Sequence, residues 1–152
     1  MLPLENVAIL KLEYWDRWVY DGPSSEADIT ELLNTASRHL PGFPMELRTP
    51  GLWHSHVGYF ADPGVAERRL LNLNVDALDV APGAPEQGPG LRRSIGIYSM
   101  AQDNISPAAS PASADEVMVE LGGMHEVLKL VLADVITPAT AERISLNPQA
   151  PQ

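Results

Sequence analysis

The stretch from Ser113 to Thr137, SADEVMVELGGMHEVLKLVLADVIT, constrains the fold of this chain more than any other. Val117, Leu121, Met124, Leu128, Val131 and Val135 recur at alternating spacings of four and three. That spacing places them on one stripe of an α-helix, flanked by Met118, Leu132 and Ile136. Ser113 and Glu116 form a capping-box pattern, and Asp115 and Glu116 sit where the helix dipole favours negative charge. So broad a stripe needs a wide apolar partner, and the partner must come from a sheet upstream.

Strand patterns supply that sheet. Over residues 6–20, Ala8, Leu10, Leu12 and Tyr14 form an apolar even face, while the odd face turns polar at Lys11 and Glu13. Asp21-Gly22-Pro23 ends this strand as a turn. Further strands are expected over 46–60, 68–80 and 91–100. In the second of these, Leu71, Leu73, Val75 and Ala77 alternate with Asn72, Asn74 and Asp76, the signature of an antiparallel sheet with one polar face. Ser25 and Asp28 suggest a helix start, with Ile29, Leu32, Leu33, Ala36 and Leu40 as its apolar face up to Pro41-Gly42. Residues 81–90 and 101–113 read as loops, the latter as a mobile tether into the long helix. Pro138 opens a short helix through Ile144.

The expected architecture is therefore α+β: an antiparallel four-stranded curved sheet in the order β-α-β-β-β-α. The long C-terminal helix and a shorter helix pack on one face. Residues 1–146 read as one α+β domain and 147–152 as a disordered tail.

Composition narrows the partners. A net charge of −10 argues against nucleic acid, whose binding relies on clustered Lys and Arg. The only basic pairs are Arg68-Arg69 and Arg92-Arg93. The chain has no apolar run long enough to span a membrane and no signal-peptide pattern. With no cysteine it has no disulfide framework and no thiol nucleophile. A cytoplasmic protein is the default expectation, and Arg outnumbering Lys by eight to two suggests a GC-rich bacterial source.

Three segments together resemble an uncharacterised, sporadically distributed bacterial protein family, specifically its C-terminal half. The first is Tyr14, Asp16 and Arg17 at the end of the early strand. The second is Asn74-Val75-Asp76, and the third is Leu121, His125, Val131 and Ile136-Thr137 in and after the long helix. The usual Phe near the end of that helix is aliphatic here, and the family's N-terminal half has no counterpart. The chain thus reads as a fragment, a split gene or a short relative. The resemblance implies the architecture and carries no assigned activity.

Candidate chemistry is sparse. His54 and His56, at i and i+2 on a strand, share a face and could reach one metal. The run Gly51-Leu52-Trp53-His54-Ser55-His56 is similar to the metal-binding segment of JAB/MPN-type zinc hydrolases. That likeness implies Glu67 as a carboxylate ligand and Glu46 as the acid that activates a zinc-bound water. Gly64 stands where that family has a serine and Val57 where it has a proline. The plainer reading is a pair of half-exposed strand histidines. His125, beside the apolar stripe, is either a general base in a pocket or a core-edge histidine bonded to a carbonyl or to Asp76. Asp16 with Arg17 marks a solvated strand end more readily than a catalytic carboxylate. Gly122-Gly123 costs the helix about 1 kcal/mol per glycine relative to alanine. Close approach by Trp15, Trp18 or a partner chain would offset it.

The leading expectation is a non-enzymatic interaction or oligomerisation domain without a cofactor, binding a protein partner or a second copy through Trp15, Trp18, Trp53 and Tyr59. One alternative is a small-molecule binder or enzyme with Tyr14, Trp15, Asp76 and His125 around a site between helix and sheet. The other is a zinc hydrolase built on His54, His56 and Glu67.

Overall fold

A computed structural model describes residues 7–40, 52–61, 68–81 and 90–146. Four strands, β1 (Ile9–Val19), β2 (Trp53–Ala61), β3 (Arg69–Val80) and β4 (Arg92–Asn104), form an open sheet ordered β1-β4-β3-β2. Every neighbouring pair is antiparallel. A long helix, α1 (Ala114–Val135), and a short one, α2 (Pro138–Arg143), complete the α+β fold.

The alternation along β1 and β3 sorts the sheet into two faces. Directly opposed residues share a side, so the register defines rows across the strands. One face carries the rows Leu12–Ala101–Leu71–Tyr59, Tyr14–Ser99–Leu73–Val57 and Asp16–Ile97–Val75–Ser55. The helix α1 lies on this face. Met124 and Leu128 pack with Leu10, Leu71, Ala101 and Ile105, while Val131 and Val135 pack with Leu73, Val75, Ile95 and Ile97. Val117 and Leu121 are only partly buried, and Met118 is 65% exposed, outside the stripe's contact zone.

At the start of α1, Ser113 Oγ accepts from the Glu116 amide at 3.3 Å. The Glu116 carboxylate reaches the Ala112 amide at 2.8 Å, one residue before the cap. Thr137 caps α2 by accepting from the Thr140 amide, with Pro138 in the first turn.

Three local expectations change. Residues 25–40 hold no α-helix. They form two 3₁₀ turns, Ser24–Glu26 and Ile29–Glu31, followed by irregular chain. Short polar side chains divert the backbone here. Asp28 accepts from the Thr30 amide and hydroxyl, Asn34 Oδ1 from the Ala36 amide, and Ser37 Oγ from the His39 amide. Leu33 instead bridges to Ile136, with Asn34 N donating to Val135 O at 2.8 Å and Thr137 N to Leu32 O at 2.7 Å. Ile29, Leu33 and Leu40 are still buried, at 3%, 1% and 2% exposure, so the apolar periodicity served packing without helix.

The strand β4 also runs four residues past the expected end, because Leu12 through Ile9 pair with Ala101 through Asn104. The segment after it is tied down. Ile105 N donates to Ala8 O, Val7 N donates to Ser110 Oγ at 2.9 Å, and Pro111 is buried. The part of the second expected strand before Leu52, the loop at 82–89 and the tail lie outside the described residues.

Candidate functional site

The sheet face opposite α1 has no described element lying on it. Its rows are Lys11–Gln102–Leu70–Phe60, Glu13–Met100–Asn72–Gly58, Trp15–Tyr98–Asn74–His56 and Arg17–Gly96–Asp76–His54, with Val19–Ser94–Leu78 beyond. Trp15 is 71% exposed and Phe60 63%, and the Trp15 and Tyr98 rings lie 4.5 Å apart. Polar groups surround these rings. Lys11 pairs with Glu13 at 2.6 Å, and Glu13 accepts from Tyr98 Oη at 2.5 Å. Burial and then this bond to Glu13 push the Tyr98 phenol up to about 12, while Lys11 and Tyr98 hold the Glu13 carboxyl below its usual range. Arg17 donates to Ser94 Oγ at 2.7 Å and stands 3.6 Å from Asp76.

Gly96 makes this crossing possible. A Cβ there would lie 2.7 Å from Asp76 Oδ2 and 2.8 Å from Arg17 Nη2, so the pair reaches across β4 over a residue without a side chain. Asn74 Oδ1 and Asp76 Oδ1 are withdrawn from solvent and accept no hydrogen bond among the described residues.

The expected binding aromatics divide between the faces. Trp15 is on the open face. Trp18, Trp53 and Tyr59 are on the helix face and partly buried, with Trp18 and Trp53 against the apolar cluster around Val75 and Ile97. Phe60 and Tyr98 join Trp15 instead. Tyr98 was not singled out in the sequence because β4 carries little alternation, being buried on both faces for most of its length.

The grouping of Tyr14, Trp15, Asp76 and His125 around one site is likewise divided. Tyr14 Oη and His125 Nδ1 lie 2.6 Å apart on the helix face, their rings edge-on at 67°. Trp15 and Asp76 are on the other face, so His125 has no reach to Asp76. The His125 Nε2 atom is buried and has no hydrogen-bond partner among the described residues. Two apolar clusters lie between α1 and the sheet, one with Met124 and Leu128 and one with Val131 and Val135. Asp16, also on the helix face, has its carboxyl raised by burial. Tyr14 thus meets His125 on the helix face, and Arg17 meets Asp76 on the open face.

His54 and His56 project from β2 onto the open face and are exposed. Glu67 and Glu46, expected to complete a zinc site, lie outside the described residues. Among the described residues no group of three His, Cys, Asp or Glu side chains comes together to hold a metal ion. The space around Gly122-Gly123 is also open. Among the described residues nothing approaches a Cβ at Gly122 within 4 Å, and Gly123 meets only Arg69 Nη1 at 4.0 Å. Neither Trp15 nor Trp18 covers the pair.

The sequence reading missed one cluster. His39, 7% exposed, stacks on Tyr59 at 5.6 Å with its Nδ1 3.0 Å from the phenol oxygen. Asp134 of α1 accepts from Ser37 Oγ at 2.6 Å and the Arg38 amide at 3.1 Å, and its Oδ2 lies 3.9 Å from His39 Nε2. The irregular 25–40 segment, and not a motif, brings these groups together.

Among the described residues no helix is long and apolar enough to cross a membrane. No protein-family model matches this chain, and neither a curated protein nor a solved structure matches it.

Proposed function

We propose that this chain is an interaction domain without catalysis of its own, and that a second copy of the chain docks on the open sheet face. The observation that carries this reading is the group Trp15, Tyr98 and Phe60 on a sheet face that no described element covers. Exposed aromatic rings grouped among polar residues on one sheet face mark an interaction surface.

Charge favours a second copy as occupant. The whole chain carries −10, yet Lys11 and Arg17 are matched on this face by Glu13 and Asp76. Two copies can approach here without the excess negative charge carried by the rest of the molecule. Size is adequate too. Four strands about 4.8 Å apart and about ten residues long present about 600 Å² per copy. Doubled, that meets the lower end of the about 1,200–2,000 Å² buried by stable interfaces. Aromatic anchors amid polar rows match the composition of such interfaces.

Light scattering at micromolar concentration tests the reading. A particle of twice the chain mass is expected. A strict monomer at every concentration overturns self-docking.

A further inference from the structure

A cleft of about 440 Å³ opens between α1 and the sheet at its β2 edge. Leu71, Val127, Leu130 and Val131 make its aliphatic side, and Arg38, His39 and Tyr59 stand at its polar end. A concave apolar site with a few convergent polar groups is the usual form of a small-molecule site.

The hydrogen bonds at the polar end run in one direction. Arg38 Nε donates to His39 Nε2 at 3.3 Å, so that nitrogen is an acceptor and carries no proton. The neutral ring then holds its proton on Nδ1, and donates it to Tyr59 Oη at 3.0 Å. Having accepted from His39, the Tyr59 hydroxyl has its own proton to give. Burial supports this assignment, holding the His39 imidazole below its ordinary value and the Tyr59 phenol above its own. The terminal nitrogens of Arg38 make no hydrogen bond among the described residues, so the guanidinium keeps donors to offer. Both ring nitrogens of His39 are engaged, which leaves the imidazole no acceptor for an amine. Asp134 accepts from Ser37 Oγ and the Arg38 amide through its Oδ2 and does not line the cleft.

We propose that this cleft binds a linear aliphatic monocarboxylate. The Tyr59 hydroxyl and the Arg38 guanidinium receive the carboxylate, and Leu71, Val127, Leu130 and Val131 line the chain. The local cation matters because an anion approaching a protein of net charge −10 is otherwise repelled. This site lies on the helix side of the sheet and does not depend on docking at the open face.

A methyl-detected NMR titration with decanoate, decanol and acetate tests it, on the wild-type chain and on Arg38→Gln and Tyr59→Phe. Decanoate is expected to saturate and to shift the methyls of Val127, Leu130 and Val131. Arg38→Gln should weaken it about tenfold or more, and Tyr59→Phe several-fold, as expected for loss of an ion pair and for loss of one hydrogen bond from an uncharged donor to the carboxylate. Decanol should bind more weakly than decanoate, by about the Arg38→Gln factor, and acetate should not saturate. The proposal is overturned if decanol binds as tightly as decanoate, if Arg38→Gln changes nothing, or if these methyls do not move. Arg38 is exposed, so Arg38→Gln keeps the test decisive should Tyr59→Phe disturb the fold.

Discussion

Arg69 and Asp103 face each other across β3 and β4 as a bidentate ion pair, with nitrogen–oxygen distances of 2.8 and 2.7 Å. They are 5% and 0% exposed, beneath the first half of α1, where Glu120 comes within 3.8 Å of Arg69. The hydrogen bonds to Asp103 hold the guanidinium's proton more tightly than usual. The pair joins the extended end of β4 to the rest of the sheet.

Removing Asp103 leaves the buried Arg69 guanidinium without its bidentate partner and with the longer contact to Glu120. Asp103→Ala should therefore destabilise the fold by about 3–5 kcal/mol. Urea unfolding measures this directly. A loss below about 1 kcal/mol would place the pair in solvent and contradict the burial seen here.

The glycine pair in α1 predicts the opposite sign. A methyl at Gly122 meets open space, so Gly122→Ala should stabilise by about 0.5–1 kcal/mol through helix propensity alone. Thermal unfolding should show a raised midpoint. A lowered midpoint would mean that another chain approaches the helix at that glycine.

His39 makes stability depend on pH. Its burial depresses the imidazole pKa below the ordinary 6.5, so the unfolded chain binds the proton more readily than the folded one. This contribution is fully present above the unfolded value and is lost as pH falls through it toward the folded value. Urea midpoints at about pH 8 and about pH 5.5 should differ more in the wild type than in His39→Gln. Equal differences in the two proteins would remove His39 as the cause.

Much of the fold is legible in residue spacing. The alternations at Leu10, Leu12 and Tyr14, and at Leu71, Leu73 and Val75, assign the sheet faces. The stripe from Val117 to Val135 assigns α1. Strand order is not encoded in such local patterns, and it decides the site. Only the placement of β1 beside β4 brings Tyr14 to His125, and Arg17 to Asp76 over Gly96. Alternation along β1 itself puts Trp15 and Trp18, three residues apart on one strand, on opposite faces. The 25–40 segment misled for a different reason. Its apolar spacing fits a helix, but Asp28, Asn34 and Ser37 spend their side chains on nearby amides, and long-range bonds to Val135 and Thr137 complete the departure. His39 gains its role from that path.

The docking account turns on which surface holds the second copy. Sedimentation equilibrium of Trp15→Asp beside Met118→Asp is the most direct measurement. Both residues are well exposed, Trp15 on the open sheet face and Met118 on α1. A charge at the centre of an interface costs several kcal/mol, enough to shift association by about a hundredfold or more. The account predicts monomeric Trp15→Asp while Met118→Asp remains dimeric. Dimeric Trp15→Asp with monomeric Met118→Asp would contradict it and move the interface to the helix.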